Sequence, residues 1–120
     1  MDYLQETYED VVVQVVDLTR ATLKEAEEFK YTLTKNIEYG YRKIVIDLSS
    51  CEFLDSTFLG ALVVTLKRVT ALGGDVKLVG FHPTVHAMME LTRMHRVFET
   101  FPTKEAAIRS FNEKMVRNLS

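Results

Sequence analysis

Apolar residues in this chain follow two alternating rhythms: short β-branched runs, and longer stretches with a period near 3.6. Val11-Val12-Val13-Gln14-Val15-Val16 is nearly unbroken in apolar character, which predicts a strand buried on both faces. Tyr8 belongs to that strand or to a short edge strand ahead of it. From Thr22 to Ile37, Leu23, Ala26, Leu33 and Ile37 share one helical face with Phe29 at its margin, while Lys24, Glu25, Glu28 and Lys35 stay polar. Gly40, between Tyr39 and Tyr41, ends this helix as the left-handed residue, and Lys43 to Leu48 is the next strand. A second helix starts near Ser56, carries Leu59, Leu62, Val63, Leu66 and Val69 on its apolar stripe, and stops at Gly73-Gly74. Val76–Val79 is a short strand closed by Gly80. Pro83 then opens a third helix with Val85, Met88, Met89 and, at its edge, Leu91 turned inward. Val97–Phe101 reads as a last strand. Thr103 caps a final helix that buries Ala107, Ile108, Phe111 and Met115, with fraying expected from Val116 to Ser120.

Strand and helix thus alternate through connections too short for a second domain, so residues 1–120 form one α/β unit with its core at about 8–115. Right-handed crossovers lay the principal strands in parallel, in chain order if none skips a place, as a mostly parallel sheet of four to five strands. Steady advance of that order places the helices mainly on one face. A doubly wound fold of the flavodoxin type is the alternative and needs a reversal of strand order. Composition leaves both open, and the shortness of the last two strands favours the smaller architecture.

Charge changes the picture little: 15 basic residues face 17 acidic ones, for a net charge of −2, and no Lys/Arg block marks a nucleic-acid or membrane surface. No apolar run approaches the roughly 20 residues that span a bilayer, and the acidic start Met1-Asp2-Tyr3-Leu4-Gln5-Glu6 is unlike a secretory leader, so a cytoplasmic protein is expected. Cys51 is the single cysteine and reads as an inert core thiol; it permits neither an internal disulfide nor a thiolate zinc cluster.

Candidate chemistry concentrates at Phe53-Leu54-Asp55-Ser56-Thr57-Phe58-Leu59-Gly60, where a buried strand hands over to a helix. With Asp55 as cap, the hydroxyls of Ser56 and Thr57 lie in the first turn near unpaired N–H groups. Such a junction suits a phosphate, and it also suits an ordinary helix start; the residues alone leave both open. Ser49 and Ser50 continue the preceding turn, while Cys51 and Phe53 point inward. Enzymatic patterns are weak. No GxGxxG or GxxxxGK loop is present, and Asp17, Asp47 and Asp55 lack the acidic pair and lysine of a phosphoryl receiver. His82, His86 and His95 lack metal-site spacing, so no metal or cofactor is expected. Met88, Met89 and Met94, beside Arg93 and Arg96, suit either core packing or an adaptable contact surface.

The segment Val-Ile-Asp-Leu-Ser-Ser-Cys-Glu-Phe-Leu-Asp-Ser-Thr at residues 45–57, followed by Leu59-Gly60, resembles the STAS domain of bacterial anti-sigma factor antagonists. Gly74–Gly80 and the amphipathic Val85–Leu91 support the likeness, which spans Val11 to Phe111. The resemblance implies a βα superhelix without catalytic activity that binds an anti-sigma factor of the serine-kinase type. It also implies phosphorylation at Ser56 or Thr57, release of the partner, and resetting by a metal-dependent phosphatase. Ser49, Ser50, Asp55, Ser56, Thr57 and Phe58 would form the docking surface. Where the family motif has glycine after the hydroxyl pair, this chain has Phe58, whose ring either packs inward or stands exposed as a hydrophobic anchor. The exposed alternative suits an unphosphorylated adaptor or scaffold subunit. A small nucleotide-binding protein is the remaining reading, and a monomer or weak homodimer is expected.

Overall fold

The computed structural model describes residues 4–119, with side chains described from 4 to 112. In chain order the elements are β1 (Leu4–Tyr8), β2 (Val11–Val15), β3 (Arg20–Ala21), α1 (Leu23–Tyr39), β4 (Lys43–Asp47) and β5 (Phe53–Leu54). They continue with α2 (Ser56–Ala71), β6 (Asp75–Val79), α3 (Pro83–Leu91), a 3-10 turn at Met94–Arg96, β7 (Glu99–Phe101) and α4 (Lys104–Leu119). The main sheet has the order β1-β2-β4-β6-β7. β1 is an antiparallel edge on β2, and every other neighbour pair is parallel. Because this order advances without reversal, the doubly wound alternative is excluded.

Strand alternation divides the core into two layers. Val12, Ile44, Ile46, Val76 and Leu78 face one way, into a cluster with α1, α2 and α3. Val11, Val13, Val45 and Val79 face the other way and meet Ala107 and Phe111 of α4. The helices therefore lie mainly, but not wholly, on one face: α4 alone covers the second.

That second face holds an unexpected group. Lys77, in the middle of β6, is fully buried. Its Nζ lies 2.9 Å from Glu99 Oε1, donates to Ser110 Oγ, and sits 4.3 Å from the centre of the Phe111 ring. A buried ammonium requires such partners. The lysine thereby joins β6, β7 and α4.

Several side-chain expectations change. Phe29, placed at the margin of α1, is wholly buried, whereas Leu23 is 67% exposed and Leu91 84% exposed. Both leucines lie at helix ends. Val97 is exposed and precedes the last strand, which begins at Glu99. Phe53 is half-buried rather than inward, with the Arg20 guanidinium 4.3 Å above its ring. α4 runs from Lys104 to Leu119. Met115 lies outside the described side chains, and Ser120 outside the described residues. Gly40 does terminate α1, at φ 113°.

Candidate functional site

The junction after β4 is shaped by turns tied to one another. Asp47 Oδ1 accepts a hydrogen bond from the Ser49 amide at 2.9 Å and another from Ser49 Oγ, which folds the chain back as β4 ends. Leu48 and Cys51 then enter the core. The Cys51 thiol donates to the Phe53 carbonyl at 3.1 Å, and burial pushes its pKa up, consistent with an inert thiol. Across the turn, Gly80 adopts φ 65°; a Cβ there would press on the Ser49 side chain and come within 3.2 Å of its Cα.

A feature absent from the sequence reading brings two helix starts together. β3 and β5 pair in parallel through Arg20–Phe53 and Ala21–Leu54, and each strand runs straight into a helix cap. Thr22 caps α1 in a reciprocal box with Glu25. Asp55 caps α2, with Oδ1 accepting from the Phe58 amide at 2.9 Å. The same carboxylate turns Oδ2 to the Leu23 amide of α1, at 2.8 Å. One side chain thus satisfies first-turn donors of two helices, where an anion is favoured by both dipoles.

Ser56 and Thr57 follow this cap and are exposed, as are Ser49 and Ser50 on the neighbouring turn. Gly60, one turn further along α2, is exposed with nothing above it within 4 Å of an added Cβ. The helix presents its hydroxyls without a shielding side chain along that line.

Phe58 is a correction. It is fully buried and stacks on Phe29 with ring centres 5.1 Å apart. It belongs with Leu62, Leu66 and Val69 on the inward stripe of α2, so its ring locks α1 against α2 instead of anchoring a partner. Among the described residues no three His, Cys, Asp or Glu side chains gather to hold a metal ion. No described helix is long and apolar enough to cross a membrane.

A parallel sheet with an antiparallel first strand and an acid-capped hydroxyl pair at the start of α2 defines a STAS domain; residues 6–107 match that family's model. The chain belongs to the STAS family, within its anti-sigma factor antagonists. It is 31% identical over 101 residues to a candidate anti-sigma factor antagonist from Thermotoga neapolitana, covering 83% of this chain and 88% of that protein. The crystal structure of a candidate antagonist from Thermotoga maritima superposes with a TM-score of 0.83 at 27% identity, over 90% of this chain and 92% of that one. The phosphorylated form of the Bacillus cell fate determinant SpoIIAA shares the fold, with a TM-score of 0.70 at 17% identity over 91% of this chain and 99% of that one. Antagonists of this family are regulatory adaptors, not enzymes.

Proposed function

We propose that this chain is a phosphorylation-switched antagonist, acting in the cytoplasm as a monomer or weak homodimer. Unmodified, it binds an anti-sigma factor of the serine-kinase type through Ser49, Ser50, Asp55 and the exposed start of α2. The partner then transfers the γ-phosphoryl of ATP to Ser56 or Thr57. The hydroxyl oxygen bonds to phosphorus, the bridging P–O bond to ADP breaks, and the hydroxyl proton passes to a base of the kinase. Two exposed hydroxyls directly after a helix-capping carboxylate carry this reading. A phosphate there adds about −1.5 to −2 charges beside Asp55 and against nucleotide phosphates held by the partner, so the complex separates. A metal-dependent phosphatase restores the hydroxyl. Burial of Phe58 removes the exposed anchor that motivated an unphosphorylated adaptor.

Incubation with the anti-sigma kinase and ATP, followed by mapping of phosphate by mass spectrometry, tests the switch. Modification at Ser56 or Thr57 and loss of binding in the matching aspartate variant are expected. A chain left unmodified at both hydroxyls overturns it.

A further inference from the structure

We infer that the recess between the end of α1 and the edge strand β1 is a binding site for a small aromatic monocarboxylate, separate from the hydroxyl pair. The recess has a volume of about 270 Å3 and is lined by Gln5, Lys35, Asn36, Tyr39 and Tyr41. α1 has 17 residues, so this end lies about 25 Å along the helix from the Leu23 amide that Asp55 holds. A molecule seated here leaves Ser56 and Thr57 uncovered.

Asn36 distinguishes the recess from an ordinary surface dip. It is only 5% exposed, yet its Nδ2 has no acceptor among the described residues. The backbone of this helix end, by contrast, is satisfied: Tyr41 N–H donates to the Asn36 carbonyl, and Gly40 N–H and Arg42 Nη1 donate to that of Ile37. A buried donor without a partner is destabilising and uncommon, and calls for an acceptor from outside the fold. Gln5 stands beside it, held by the Gln14 Nε2 donated to its Oε1, which leaves the Gln5 Nε2 group to donate. Gln14 Oε1 is the second buried atom without a partner.

The lining is thus rich in donors: the Asn36 and Gln5 amides and the Lys35 ammonium. A carboxylate accepts from all of them through its two oxygens. Lys35 is loosely engaged, 3.7 Å from Glu38 Oε1 in an exposed pair and 5.2 Å from the centre of the Tyr31 ring, so its cation is free to turn to a ligand. Arg42, donating at 3.0 Å to Ile37 O and 2.9 Å to Tyr41 O, offsets the negative end of the α1 dipole that would otherwise repel an anion. Tyr39 and Tyr41 supply the aromatic part, with stacked rings 5.9 Å apart that offer a face to a further flat ring. A recess of about 270 Å3 suits one ring with a short acid tail.

Two-dimensional amide NMR of the full chain, titrated with 3-phenylpropionate, tests the site. Saturable shifts at the Asn36 side-chain amide, Gln5 and Tyr41 are expected, with a Kd of about 1 mM or tighter. The uncharged 3-phenylpropanol and the non-aromatic 3-cyclohexylpropionate should each bind at least about fivefold more weakly. Asn36→Ala and Lys35→Gln should weaken 3-phenylpropionate by about fivefold or more, while Lys24→Gln, at the other end of α1, should leave it unchanged. Because Nδ2 holds no hydrogen bond in the free chain, Asn36→Ala should melt close to wild type. Lys35 is exposed, so Lys35→Gln keeps the test decisive even if the buried substitution disturbs the fold. Absence of saturable shifts up to about 10 mM overturns the site, as does equal affinity for the alcohol or a response centred on other residues. A water contact at the Asn36 amide that the probe does not displace assigns the recess to solvent and also overturns it.

Discussion

The face of the sheet under α1, α2 and α3 is closed mainly by Phe29 stacked on Phe58 and by aliphatic side chains. The face under α4 closes over a lysine, bonded to Glu99 and Ser110 and flanked by Phe101 and Phe111. Both faces hide β6, yet by different physics. The first gains from apolar burial and close packing, which fixes α1 against α2 and so fixes the hydroxyl pair. The second combines a smaller apolar cluster around Ala107 and Phe111 with a polar hub, whose own net contribution to stability is small because desolvation offsets attraction. The packing that fixes α1 against α2 thus lies on the first face.

Phe58→Ala is the strongest way to break this contrast. Loss of the ring should cost about 3–5 kcal/mol in urea unfolding, as for other buried phenyl groups. A cost below about 1 kcal/mol would mean that the aromatic stack does not close the layer. Asp55→Ala should cost about 1–2 kcal/mol, the value of a lost cap, with faster amide exchange at both Leu23 and Phe58. Protection lost at Phe58 alone would show that the carboxylate does not serve both helices. On the other face, Lys77→Met should change stability by no more than about 1 kcal/mol, since Glu99 is half-exposed and stays hydrated while the thioether fills the space. A loss above about 3 kcal/mol would make the hub, not the packing, the fastening of α4.

Acid sharpens the comparison with the smallest effects. The backbone hydrogen bond from Thr22, followed by its hydroxyl, holds the Glu25 carboxyl below the usual carboxylate range on the α1 side. On the α4 side, the hydrogen bond from Lys104 does the same for Glu6. Both folded pKa values lie under the unfolded one, so each contribution is fully present above an unfolded pKa of about 4.3 and disappears as pH falls through the folded value. Thermal melts should decline across that window, and less steeply in Glu25→Gln. High salt should erase the Glu6 share, an exposed ion pair, and leave the capping share in place.

Much of this was legible in the chain. Val11–Val16, Lys43–Leu48 and Val76–Val79 announced strands because β-branched runs bounded by turn residues have few other uses. The strand–helix junction at Asp55 was equally plain, since a cap before hydroxyls and an apolar stripe is a local signal. β3 and β5 were not legible: two residues each give no period, and their pairing joins positions far apart in sequence. Lys77 was hidden for a related reason, because one polar residue in a short strand reads as an outward position until a helix covers it. Phe58 had a signal that was outweighed. It stands four residues before Leu62 and in line with the buried stripe, although the family motif drew attention to its place beside the hydroxyls.

The bare Cα of Gly80 against Ser49 has a consequence for kinetics. With no room for a methyl group between them, the turn after β4 and the turn after β6 interlock, and the Asp47 carboxylate staples the first of these in shape. A partner docking at this rim, as proposed above, would meet a surface already set, so little ordering entropy would oppose it. Encounter rates should then be governed by orientation and charge, with no slow folding step ahead of them.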